Sequence, residues 1–261
     1  MSLDSASRHP EPAFLAQSRS RRRPLHQSQL LADQLREHIA AAALPEGARL
    51  PSERELMQAT GYSRATVREA LRLLADQGLV RTRPGPNGGV FVARPGPDRL
   101  AHSLGILLEA SHVDLAQLLE ARVELESAAA RLAAARITDD ELRALRESCG
   151  RFAAAVERAD LDACVEENLE FHVRVVAASH NEVLVLLHDA IRELVRVSTR
   201  DPVYSLEVQR QVVRAHDRIV DALEARDAEA AARRVRKHLA AFEVYLQQTN
   251  QYELLRRRFR L

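Results

Sequence analysis

The chain has 261 residues, more than one domain usually needs, and 46% of them are hydrophobic, enough for a sizeable core. Aromatics contribute only 4% and tryptophan none, so Leu, Ala and Val must do the packing. A net charge of +1 excludes a uniform polycation, but arginines outnumber acids in the first hundred residues, whereas the middle of the chain is richer in acids, which points to a local polyanion-binding surface. No apolar run reaches the roughly 18 residues of a membrane span, and no apolar signal-peptide core opens the chain. Cys149 and Cys164 stand in helical-looking stretches with no sign of a disulfide. A soluble cytoplasmic protein is expected.

Residues 1–24 mix Ser, Pro, Arg and His with little periodic apolar content, which predicts a disordered tail. Arg19, Arg21, Arg22 and Arg23 there suit phosphate or a minor groove, or are simply a solvated charge run. Leu31, Leu35 and Ile39 recur at helical spacing and predict a helix over 25–43, broken by Pro45 and Gly47. Ser52 and Glu55 form a capping box for a short helix from Glu53 to Thr60, and Gly61 ends it. Ser63 caps a second helix reaching Asp76, with Val67, Ala70, Leu71 and Leu74 on one face and Arg64, Thr66, Arg68 and Arg72 on the other. Two helices about a tight turn, with arginines and hydroxyls outward, suit helix-turn-helix binding of DNA or are an ordinary amphipathic pair. The next residues favour DNA: strand-like 79–83, a turn over 84–89 and strand-like 90–92 form a glycine-tipped hairpin, the wing of a winged helix. The winged domain spans 25–93, and residues 94–99, with two prolines and a glycine, read as a linker.

From 100 to 248 only helical periodicity is found. Breaks near Asp114, Thr138, Asp160, His180, Asp201-Pro202 and Asp227 divide it into six or seven helices with short loops, an antiparallel bundle. Residues 249–261 form a basic tail. The fold class is mostly α: an N-terminal winged helix-turn-helix followed by the bundle.

Four polar residues stand among apolar neighbours in the bundle. Asn168 and His172 share a helix face, while His216 and His238 belong to the last two helices. Three imidazoles and an oxygen suit a divalent transition metal, Zn²⁺ or Ni²⁺; alternatively each histidine is separately satisfied. Arg122 sits mid-helix among leucines, where its guanidinium can capture a carboxylate in a cavity or pair with Glu126 four residues on, or with Glu120 or Glu124 nearby.

The runs Leu-Pro-Ser-Glu-Arg-Glu-Leu (50–56), Ser-Arg-Ala-Thr-Val-Arg-Glu-Ala-Leu (63–71) and Gly-Pro-Asn-Gly-Gly-Val-Phe-Val (85–92) closely resemble the N-terminal domain of GntR-family bacterial transcription regulators. Glu120-Ala121-Arg122 with Glu126, Asn168-Leu169-Glu170-Phe171-His172 and the stretch from Ala215-His216 to His238-Leu239 resemble the ligand-sensing FCD domain of that family's FadR branch. The resemblance implies DNA contacts from Arg54, from Ser63, Arg64, Thr66 and Arg68, and from the wing glycines Gly85, Gly88 and Gly89. It implies metal ligation by Asn168, His172, His216 and His238, with Asn168 standing where relatives usually carry aspartate, and effector binding by Arg122. It further implies a homodimer on a pseudo-palindromic double-stranded operator, holding a small organic acid and acting as a repressor of a catabolic or transport operon. Two rivals compete with this: a metal-dependent enzyme built on the bundle, and an effector-independent DNA binder with a filled core.

Overall fold

The computed structural model describes residues 13–85, 88–198 and 205–248. The chain divides into two compact units between Gly96 and Pro97. The first holds α1 (Ala13–Ala41), α2 (Glu53–Thr60), α3 (Arg64–Asp76), β1 (Val80–Arg83) and β2 (Gly89–Val92). Leu31 and Leu35 of α1, Leu56 of α2, Val67, Leu71 and Leu74 of α3 and Val80, Val90 and Val92 of the hairpin share one aliphatic core.

Local chemistry sets these boundaries. The Ser52–Glu55 capping box forms, with the Glu55 carboxylate 2.7 Å from Ser52 N. Gly61 leaves α2 in the left-handed region, at φ 70°. At the end of α3 the Gly78 N–H donates to the Ala75 carbonyl and the Leu79 N–H to that of Leu74, the paired closure of a Schellman motif. The hairpin pairs Val80 with Val92 and Arg83 with Gly89. Residues 47–50 add to its free edge: the Leu50 N–H donates to the Val90 carbonyl and the Val92 N–H to that of Ala48.

Two expectations change. Helix α1 begins at Ala13 rather than 25, so residues 13–24, read as tail, are helical; residues 1–12 lie outside the described residues. Ala, Leu, Gln and Arg in this stretch are good helix formers, and they continue the helix on the N-terminal side of Pro24, whose missing N–H removes one helical hydrogen bond. The linker is also shorter than 94–99, because α4 starts at Pro97. Proline is well suited to the first helical position, where its missing N–H is no loss, and Asp98 complements the helix dipole.

The second unit is all helix among its described residues: α4 (Pro97–Ala110), α5 (Leu115–Arg136), α6 (Asp139–Glu157), α7 (Leu161–Ala177), α8 (Glu182–Ser198), α9 (Leu206–Glu224) and α10 (Ala228–Gln248). Capping boxes open α5 at Asp114 and Gln117 and α6 at Thr138 and Glu141. Helix α5 is the axis. It packs on α7, α8, α9 and α10, so residues on several of its faces, from Leu118 to Val123 and Ala130, are buried. Leu125 and Leu132 are only half-buried. The break expected at Asp201-Pro202 and the basic tail 249–261 lie outside the described residues.

Candidate functional sites

In the first unit, α2 and α3 present an exposed cationic face. Arg54, Ser63, Arg64 and Arg68 are all exposed. The side chains of Arg64 and Arg68 are 71% and 67% exposed and share one partner, Glu53, at 3.4 and 3.6 Å. Long contacts of this kind in water hold the guanidiniums weakly, so both are free to exchange the carboxylate for a phosphate or a base edge. Arg72, on the same helix, is engaged by Glu69 and Asp76 at 2.7 and 2.8 Å and belongs to a solvated helix surface. Thr66 departs from expectation: it is buried, and its hydroxyl lies 2.9 Å from Ser63 Oγ, so it serves the helix cap rather than the outer face.

The wing glycines have a structural duty. Gly85 has φ 104° and Gly89 φ 152°. A Cβ on Gly88 would lie 2.3 Å from the Arg83 carbonyl oxygen and 2.7 Å from that of Gly85, which accepts the Gly88 N–H. Residues the sequence reading passed over also build the wing. The Arg49 guanidinium donates to the Gly88 carbonyl at 3.1 Å, and Arg83 lies over the Phe91 ring, 5.2 Å from its centre.

In the second unit, three helices converge on three imidazoles: His172 from α7, His216 from α9 and His238 from α10. His238 Nε2 lies 3.2 Å from His172 Nε2 and 3.2 Å from His216 Nε2, and all three ligand atoms fall within 4.8 Å of one another. Glu126 of α5 is fully buried, with one carboxylate oxygen 2.6 Å from His172 Nδ1 and the other 2.6 Å from Arg122 Nε. Burial works against the Glu126 charge, but Arg122 and His172 outweigh it and hold the carboxyl well below the usual carboxylate range. An ionised Glu126 must accept, so His172 donates its Nδ1–H and turns a bare Nε2 toward the other two rings.

All three histidines are held neutral. Burial lowers His172 despite the pull of Glu126. Burial and the neighbouring imidazoles put His216 well below the histidine range, and burial together with His172 puts His238 at about 3. His238 Nε2 can share one proton with only one neighbour, so the other contact sets nitrogen lone pairs face to face. A cation relieves that repulsion. Ligands bound at about 2.1 Å to one ion stand roughly 3.0–3.4 Å apart, which matches both 3.2 Å separations. Asn168 Oδ1, one turn before His172, is buried without a hydrogen-bond partner, an oxygen available to the same ion. The residues therefore fit a divalent transition metal.

The cluster borders a cavity of about 890 Å³ among α5, α7, α8, α9 and α10. Arg122, Asn168, His172 and His238 line it. The structure thus brings all four expected ligand residues and Arg122 to one place. It also supplies Arg122 with the Glu126 partner that the four-residue spacing allows. Sequence reasoning missed Glu126 as the support of His172, and it missed His188, fully buried with Nε2 3.4 Å from Glu126. Only the Arg122–Glu126 spacing signalled the former; nothing in the sequence places α8 against that carboxylate. Cys149 and Cys164 are free thiols, both buried, and burial with Asp217 nearby pushes Cys149 up to about 12.

Residues 27–92 match the family described as bacterial regulatory proteins, gntR family, and residues 117–241 match the FCD domain. The chain is similar to the Glc operon transcriptional activator of Escherichia coli (strain K12), 30% identical over 225 residues, which are 84% of this chain and 87% of that protein. It is likewise similar to the HTH-type transcriptional repressor NanR of Cronobacter sakazakii, 30% identical over 227 residues, 84% of this chain and 85% of the relative. Among solved structures, Streptococcus agalactiae GntR superposes with a TM-score of 0.64 at 26% identity, covering 82% of this chain and 98% of that one.

Proposed function

Since the chain belongs to the GntR family of bacterial regulators, with an FCD domain as its second unit, we propose that it represses transcription until a small carboxylic acid enters its bundle cavity. A ligand-responsive DNA-binding regulator, not an enzyme, is what the family and these relatives establish. The observation that carries the finer reading is the convergence of three neutral histidines, two of which line a large cavity together with an unpartnered Asn168 oxygen.

In this reading Asn168, His172, His216 and His238 hold Zn²⁺ or Ni²⁺, and a bound ion gives the effector a Lewis-acidic anchor for its carboxylate. Glu126 fixes the His172 tautomer. Arg122 commits Nε to Glu126 and offers its terminal nitrogens to the acid. Arg54, Ser63, Arg64 and Arg68 read the operator, with Arg64 best able to make a paired contact to guanine. Gly85, Gly88 and Gly89 let the wing approach the backbone. The protein works as a homodimer on a pseudo-palindromic site in the cytoplasm. Ile106 and Leu107 of α4 and Val183, Leu186 and Leu187 of α8 are large apolar side chains left exposed, a surface suited to the second copy. No helix among the described residues is long and apolar enough to cross a membrane. The effector releases DNA to the extent that it binds one arrangement of the dimer better.

The test uses the full-length protein, loaded with Zn²⁺, on an operator selected from random DNA. C2 to C8 carboxylates are expected to lower operator affinity in fluorescence anisotropy. His216→Ala with His238→Ala is expected to lose both the metal, by elemental analysis, and the response. Retention of stoichiometric metal by that double variant places the ion elsewhere and defeats the reading.

A further inference from the structure

Most described arginines of the bundle lie beside a carboxylate: Arg131 with Glu229, Arg146 with Asp221 and Glu224, Arg151 with Glu167, Arg236 with Glu124. Three cations that line the cavity do not. Arg218 of α9 and Arg234 and Lys237 of α10 have no carboxylate within ion-pair distance among the described residues. They stand together. Arg234 donates to the Arg218 carbonyl, which ties its side chain across to α9. Arg234 is also one helical turn before His238, on the same face of α10. The acids of the cavity wall, Asp162 and Glu166, belong to the opening turns of α7 instead.

The cavity is therefore polarised, with histidines in its wall and uncompensated positive charge within the preceding turn of α10. A single short carboxylate on the histidine cluster leaves that charge unanswered and most of about 890 Å³ unfilled. Apolar side chains, among them Val165, Val212 and Phe242, line much of the remainder.

We infer that the effector is a dianion: an acid whose first carboxylate sits at the histidine cluster and whose second anionic group, carboxylate or phosphate, is held by Arg218, Arg234 and Lys237. This rests on the reading that the histidine end accepts a carboxylate. Because the second group is gripped by side chains at the exposed margin of the cavity, each contact is individually modest and the preference comes from their sum.

The experiment is calorimetric titration of the full-length, Zn²⁺-loaded protein with straight-chain monocarboxylates and α,ω-dicarboxylates from C3 to C8, and with ω-phosphono acids of the same lengths. At the best-fitting length the dianion is expected to bind at least about fivefold more tightly than the monoacid. The better of the carboxylate and phosphonate arms identifies the second group. Lys237→Gln and Arg218→Gln should each reduce that preference, and Lys237→Arg should restore it. Lys237 is the one lysine of the chain, so its ammonium, isotopically labelled, reports the contact by a single NMR resonance that dianions shift and monoacids leave in place. If monoacids bind and dianions bind no better at any length, the second site is overturned while the carboxylate reading stands. If neither class binds, both fall. A preference that survives in both Gln variants also overturns the assignment.

Discussion

Glu126 is the residue on which the candidate metal site turns. It is fully buried and touches both Arg122 and His172 at 2.6 Å, so one carboxylate balances a buried guanidinium and sets an imidazole's tautomer. Removing one member of a buried charged pair leaves the other without compensation, at a cost of about 3–5 kcal/mol. Glu126→Ala is accordingly expected to lower the unfolding free energy by that amount in urea titration. The milder Glu126→Gln should keep the fold but weaken metal binding about 10- to 100-fold, since His172, a proposed ligand, loses its support. Chelator competition measures this, and unchanged affinity would detach Glu126 from the site. The i,i+4 spacing made the Arg122 pair legible in the sequence; the link to His172, 46 positions on, was not.

At the scale of the element, α3 and the hairpin contribute differently to the proposed reading head. Arg64 and Arg68 hang on Glu53 by weak, exposed contacts, so on the proposed reading α3 offers them to DNA at little cost. Arg64→Ala is expected to weaken operator binding by about 1–3 kcal/mol and to relax base preference, as footprinting would show. The wing depends on backbone rather than charge. Gly88→Ala would drive a methyl group against the Arg83 and Gly85 carbonyls, so the turn must open. Operator affinity should fall while circular dichroism of the helices stays unchanged. Normal binding by the Gly88→Ala protein would show that the tip is dispensable. Caps and turns such as Ser52–Glu55, Gly61 and Ser63 were legible because each is a local pattern of a few residues. The buried role of Thr66 was not, because a helical wheel cannot say which hydroxyl turns back to its own cap.

For the whole molecule, acid is the natural stress. His172, His216 and His238 are buried neutral, with proton affinity below that of a histidine in the unfolded chain, and Glu126 is buried charged. The unfolded chain therefore binds more protons than the folded one as pH drops below about 6.5. Stability is fully present above that pH and is expected to decline steadily through pH 5 and below, with bound metal leaving over the same range. Thermal melts of the metal-free protein from pH 8 to pH 4 check the sign; a melting temperature that rises on acidification would contradict the buried neutral cluster.

What the sequence determined by itself was everything carried by short range and by period: the two helices and glycine-tipped hairpin of the reading head, the helical run from residue 100 onward, the caps that divide it, and the candidate ligands Asn168, His172, His216 and His238. What only the tertiary structure decided was which distant side chains meet. Three helices had to pack around α5 before two pairs of imidazoles stood 3.2 Å apart, before Glu126 closed on His172, and before Arg218, Arg234 and Lys237 lined one cavity. Such meetings are made by burying aliphatic faces against one another, a force that follows area and has no memory of position along the chain.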